Sequence, residues 1–272
     1  MCAAISSARV RKKRSKVQTS ELFDVSNEIV LVTGGGTGLG LAMAKSLALN
    51  GAKVVIAGNK PENLEAAANT IAELGGKVMA VNLDVRCDDA ICAVFDQIEA
   101  AIGPVSVLIN NAGIAHRDKA THLERETLRE VLDVNVDSLF MVAQEGARRM
   151  IRDARGGSII NISSVLSEIP IRQVAAYSAS KAAVSQLTRS LALEWAKYGI
   201  RVNEIRPGWF NTSLTAPFLK GQGAAVMVGQ NPTGRLGGNH DLDGVVLLLA
   251  SRASAYMTGS SIVVDGGHSI GR

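Results

Sequence analysis

The chain has 272 residues, of which 47% are hydrophobic, 20% charged and only 4% aromatic. This is enough apolar material for a sizeable core and excludes disorder for the body of the chain. The formal charge of +4 misleads, because Arg9, Arg11, Lys12, Lys13, Arg14 and Lys16 lie in an acid-free leader and the residues after it sum to −2. The basic balance therefore resides in the leader and gives no sign of a nucleic-acid-binding body.

Short β-branched runs alternate with longer helical patterns. Strands are expected over 29–32, 53–57, 78–81, 105–109, 158–162, 201–205 and 261–264, and helices over 39–50, 62–74, 88–102, 124–152, 176–197 and 241–251. The stretch between about 206 and 238 reads as irregular. Strands separated by helices of ten or more residues imply right-handed βαβ crossovers and a parallel sheet covered on both faces. Continuous apolar runs such as KVVIA suit burial on both faces. The expected fold is therefore α/β, a single Rossmann-type doubly wound parallel sheet of about seven strands. Residues 1–23 are expected to be a disordered basic tail and 24–272 one domain. No secretory or membrane-spanning run is found. The three cysteines and four histidines show no metal-ligand spacing. The expectation is a cytoplasmic protein with no metal, membrane or nucleic-acid partner.

The sequence TGGGTGLG at 33–40 stands directly between the first strand and the first helix. Glycines there remove Cβ atoms that would keep a pyrophosphate from backbone amides and from the helix N-terminus. Gly34, Gly38 and Gly40 follow G-x-x-x-G-x-G, and Gly36, Thr37 and Leu39 complete the turn. In dinucleotide folds an acid about 20 residues further on grips the ribose 2′-hydroxyl. Here the second strand ends in Gly58-Asn59-Lys60, with no carboxylate. Asn59 and Lys60 could instead accept a 2′-phosphate, which favours NADP(H) over NAD(H).

Tyr177 and Lys181 are four apart in a helical stretch and share one face. An ammonium beside a phenol is expected to lower its pKa and fit it for acid–base work. Ser164 ends the preceding strand, where strand C-termini deliver side chains to a ligand crevice.

Taken together these residues resemble the short-chain dehydrogenase/reductase family over nearly the whole chain. Among its relatives are gluconate and deoxygluconate dehydrogenases and ketoacyl-carrier-protein reductases. By that resemblance Asp84, with Val85, contacts adenine, and the NNAG turn (Asn111, Ala112, Gly113) supports the cofactor. Pro207, Gly208 and Thr212 resemble its P-G-x-x-x-T segment at the nicotinamide. Asn135 resembles the residue that holds a proton-relay water. Ser164, Tyr177 and Lys181 match the active-site triad, with Tyr177 as acid/base and Lys181 also on the nicotinamide ribose. Arg206 departs from the small residue usual before P-G.

The implied reaction is hydride transfer between NADP(H) and a carbonyl or secondary alcohol. Competing readings are an NAD-linked sugar-acid or polyol dehydrogenase and a cofactor-sensing binding protein without chemistry. The resemblance places the substrate pocket at His116, Val165, Leu166, Trp209, Phe210 and Leu214. His116, Glu168 and Arg172 would suit a keto-acid or polyol, whereas Trp209, Phe210 and Leu214 would suit an apolar or cyclic ketone. It also implies a homotetramer assembled through the helices at 124–152 and 176–197.

Overall fold

In the computed structural model, which describes residues 18–271, every position of β1 (Ile29–Thr33) is buried. The remaining strands are β2 (Lys53–Gly58), β3 (Lys77–Asn82), β4 (Val107–Asn110), β5 (Gly157–Ile162), β6 (Ile200–Pro207) and β7 (Ser261–Val264). All pair in parallel, in the order β3-β2-β1-β4-β5-β6-β7. The chain winds outward from β1 to β3, then returns to start again at β4 on the other side of β1. The β1/β4 junction is the reversal point where such sheets open a ligand crevice.

Alternation along the strands divides the core into two layers. Val30, Val32, Val107 and Ile109 face Met43 and Leu47 of α2 (Gly38–Leu49), Leu64 and Ile71 of α3 (Pro61–Glu73), and Val246 and Leu249 of α10 (Asp243–Ala250). Leu31, Leu108 and Ile159 face Phe95 and Ile98 of α4 (Asp88–Ala101), Val142 and Met150 of α6 (Ser138–Arg152), and Leu191 of α7 (Ala175–Trp195). Truncating one of these fully buried leucines to Ala costs about 2–5 kcal/mol. A buried polar ladder crosses the second layer. Asn110 Nδ2 donates to Asn161 Oδ1 at 3.0 Å, and Asn161 Nδ2 to Thr188 Oγ1 at 2.9 Å.

The expected strands and helices are present with boundary shifts of a few residues, and three segments differ in kind. Residues 1–17 of the expected tail lie outside the described residues. Gln18 and Glu21 form a capping box at a single helical turn, α1 (Thr19–Leu22). The helix expected over 124–152 is interrupted: α5 (Arg125–Leu132) passes through a π-helical turn at Asp133–Asp137 before α6. The wider turn points Asn135 inward, and Ser138 Oγ donates back to Asp133 O at 2.9 Å. Within the irregular stretch lie two short helices, α8 (Ala216–Leu219) and α9 (Gly223–Gly229). The expected helix over 241–251 begins late, because Asp241 accepts from Gly238 N at 2.7 Å and pairs with Arg235. Among the described residues no helix is long and apolar enough to cross a membrane.

Candidate active site at the carboxyl ends of the strands

The glycine turn is shaped by contacts that leave no room for side chains. A Cβ on Gly40 would stand 2.3 Å from Gly34 O and 2.5 Å from Asn111 Nδ2. Gly34 itself has φ +63, a left-handed conformation that favours glycine. Asn111 fastens the turn to the end of β4, its Nδ2 donating to Thr33 O at 3.0 Å and to Gly34 O at 3.1 Å. Thr33 Oγ1 accepts from the amides of Asn111 and Ala112 at 3.0 and 3.1 Å. Thr37 occupies the N-cap of α2 without a side-chain cap hydrogen bond. The first amides of α2 thus point into the crevice with the positive end of the helix dipole, a ready site for an anion.

Across the crevice, Ser164 leaves β5 and caps the following turn, its Oγ accepting from Leu166 N at 3.1 Å. Tyr177 and Lys181 lie on one face of α7, with Lys181 Nζ 5.7 Å from the Tyr177 ring centre. Nζ donates to Ile162 O at 2.8 Å, so the ammonium is held at the end of β5. Burial pushes the Tyr177 phenol up to about 12, and the nearby Ser164 hydroxyl opposes this only in part. Burial also drives Lys181 down to about 8, against the opposing pull of Glu204. The expectation of a lowered Tyr177 pKa is therefore corrected: burial of the phenol disfavours its charged form. At neutral pH Tyr177 is a phenol.

Asn135 lies behind this pair, fully buried. Its Oδ1 accepts from Ile114 N at 2.8 Å, while Nδ2 donates to Ile114 O and to Ser180 Oγ, both at 2.9 Å. Its side chain thereby ties the irregular segment following the NNAG turn to α7. A Cβ on Gly113 would reach 3.1 Å from Asn135 Oδ1 and 3.6 Å from Lys181 Nζ.

A cavity of about 410 Å³ joins the two halves. From the sequence reading it is lined by Gly34, Thr37, Gly38, Leu39, Asn111, Ala112, Gly113, Ser164, Val165, Leu166, Tyr177, Lys181, Pro207, Gly208, Trp209, Phe210, Thr212 and Leu214. Gly36 and Gly40 shape the turn from behind. Asn59 and Lys60 are exposed beside it: Gly35 N donates to Ala57 O at 3.1 Å and Gly36 lies against Asn63. Asp84 and Val85 follow β3, outside the cavity. The Asp84 carboxylate is gripped by Arg86, through Nε at 2.9 Å and Nη2 at 2.6 Å, which holds it below the usual carboxylate range.

The polar substrate-pocket candidates are not in the cavity. His116 is exposed and its Nε2 stands 3.3 Å from Glu130. Asn135 pins Ile114 from both sides, and the chain then turns His116 outward toward α5. Glu168 pairs with Arg206, and Arg172 is exposed. Arg206, unexpected before P-G, is buried because Glu204 accepts from its Nε at 2.7 Å. Glu204 in turn accepts from Ser185 Oγ at 2.8 Å and from Ser261 Oγ. Not singled out from sequence were Thr33 and Val174. The signal for Thr33 was a hydroxyl at the last residue of β1. Phe218, in the short helix α8, also lines the cavity. Among the described residues no group of three or more His, Cys, Asp or Glu could hold a metal ion.

A family profile described as Enoyl-(Acyl carrier protein) reductase matches residues 34–269. The 2-dehydro-3-deoxy-D-gluconate 5-dehydrogenase of Formosa agariphila is 39% identical over 251 residues, covering 91% of this chain and 94% of its own. The gluconate 5-dehydrogenase of Gluconobacter oxydans is 37% identical over 248 residues, covering 91% and 96%. Among solved structures, a gluconate 5-dehydrogenase from Burkholderia cenocepacia J2315 in complex with NADP and tartrate superposes with a TM-score of 0.88 at 35% identity, covering 92% of this chain and 98% of its own. With the fold, the glycine turn and these matches in agreement, the chain belongs to the short-chain dehydrogenase/reductase family and is an NAD(P)-dependent oxidoreductase acting on alcohol and carbonyl groups.

Proposed function

We propose that the protein is an NADP(H)-preferring reductase of a carbonyl group, or dehydrogenase of the corresponding secondary alcohol, with Ser164, Tyr177, Lys181 and Asn135 as its working residues. The observation that carries this reading is the convergence of Ser164, Tyr177 and Lys181 at one end of a cavity whose other end is the glycine turn.

The residues fit the dinucleotide: the α2 amides are free of a side-chain cap, and the turn is cut back to glycine where a Cβ would collide. Leu39, Thr212 and the Asn111–Gly113 turn would line its nicotinamide half, and Asp84 with Val85 its adenine half. Asn59 and Lys60, with no carboxylate beside them, support acceptance of a 2′-phosphate. Several structural relatives are described with NADP bound. The bound nicotinamide supplies or accepts the hydride.

The chain's own residues handle the oxygen and its proton. Ser164 Oγ donates to the carbonyl oxygen as negative charge develops there. Tyr177, a neutral phenol at working pH, delivers the proton in the reducing direction and recovers it in the reverse. Lys181 holds a positive charge beside the phenol and steadies the phenolate left after transfer. Asn135 positions Lys181 through Ser180 and the Gly113 turn. A homotetramer built through α5–α6 and α7 is supported by Leu193, which is 84% exposed on α7.

Titration of intrinsic fluorescence with NADPH and NADH, followed by turnover at 340 nm, tests the reading. NADPH is expected to bind more tightly than NADH. Tyr177→Phe is expected to lower kcat by about 10²–10⁴-fold with the nucleotide Kd unchanged. Nucleotide binding with no turnover across a panel of ketones and alcohols, identical in Tyr177→Phe, would replace the enzyme with a cofactor sensor.

A further inference from the structure

Resting on that reading of the reaction, we propose that the substrate is an uncharged ketone or secondary alcohol with an apolar body, rather than an aldonic acid. The relatives' names point toward sugar acids, and the cavity wall of this chain points elsewhere. Beyond Ser164 and Tyr177 the wall has an apolar side made by Val165, Leu166, Val174, Trp209, Leu214 and Phe218, and its remaining polar side chains near them, Ser213 and Thr215, are uncharged hydroxyls. Val165, Leu166 and Val174 pack together with Tyr177 and Phe218. The Trp209 and Phe218 rings stand 5.8 Å apart at 60°, forming an aromatic corner. Such a wall rewards burial of CH₂ groups and rings.

A carboxylate entering this space needs a cation to replace its water. Among the described residues Lys181 is the single cation lining the cavity, and its Nζ already donates to Ile162 O at 2.8 Å. Three nearby cations are committed to other partners, and Arg172 is exposed outside the cavity. Arg206 is buried between Glu204 and Glu168. Arg117 donates to Gln173 Oε1 at 2.8 Å and lies 5.5 Å over the Phe218 ring, outside the cavity. His116 is turned to Glu130. Glu168 has a second consequence. It follows the turn that carries Val165 and Leu166, so its pairing with Arg206 holds those two side chains against the pocket.

The test compares a six-membered cyclic ketone with 5-keto-D-gluconate, each under saturating NADPH. The cyclic ketone is expected to have the higher kcat/KM by about 100-fold, the scale on which apolar pockets discriminate. Leu214 is 36% exposed at the rim, so a longer side chain there can extend toward solvent. Leu214→Arg adds the missing cation and is expected to narrow that ratio by about 5-fold or more through KM, with NADPH binding unchanged. Equal or reversed preference in the wild type overturns the inference, as does binding of NADPH without turnover of either compound. Loss of nucleotide binding, or a rate unaffected by Tyr177→Phe, would strike the proposed reaction instead.

Discussion

The two ends of the cavity are built from different materials. At the glycine turn the site is backbone: amides at the start of α2, carbonyls of Thr33 and Gly34, and an asparagine that fastens them to β4. At the other end it is side chains brought from separate places, Leu166 after β5, Val174 before α7, Trp209 after β6 and Phe218 in α8. A backbone site is specified by which residues lack side chains and by its place between a strand and a helix. A side-chain wall depends on how loops fold over one another. The first end therefore tolerates little change, and the second can be retuned.

The sharpest way to break this contrast is at Gly40. With a Cβ set 2.3 Å from Gly34 O, Gly40→Ala must displace backbone. It is expected to cost about 1–3 kcal/mol and to abolish nucleotide binding. Calorimetry with and without NADPH checks both; an unchanged melting temperature and Kd would show the turn to be far more pliable than its contacts require.

Next in size is the buried lysine. Lys181 has a folded pKa of about 8 against 10.5 when solvated. Between those values the unfolded chain binds more protons than the folded one, so the Lys181 contribution to stability rises with pH across that window. Lys181→Met is expected to remove a rise of about 3 kcal/mol at most, read by urea unfolding at pH 8 and pH 10. The catalytic ammonium is lost over the same range, so turnover should fall as pH climbs through about 8.

Smaller again is the effect at the mouth of the nucleotide end. Lys60→Glu places a carboxylate beside the turn, and NADPH affinity is expected to drop about 10-fold relative to NADH. A parallel loss of both nucleotides would move the 2′-phosphate contact elsewhere. The mildest is Glu168→Gln. Glu168 is 66% exposed, so its bond to Arg206 is screened and worth less than about 1 kcal/mol. The expected outcome is a ketone KM raised less than about 5-fold, with kcat and the NADPH Kd unchanged; an unchanged KM would mean that the turn after Ser164 holds itself.

Period and punctuation decided much of this protein in advance. Buried parallel strands are continuous apolar runs, a pyrophosphate turn must be glycine where backbones meet, and Tyr177 and Lys181 share a helical face at any spacing of four. The elements, the glycine turn and the Ser164–Tyr177–Lys181 group were legible for those local reasons. The break in the long helix was not, because a π-helical turn at Asn135 has no periodic signature and is held by bonds to Ile114 and Ser180. Nor was the outward placement of His116, or the burial of Arg206 between Glu204 and Glu168. Whether a charged side chain faces a pocket, solvent or another charge depends on what the fold sets opposite it, and only the tertiary structure supplies that partner.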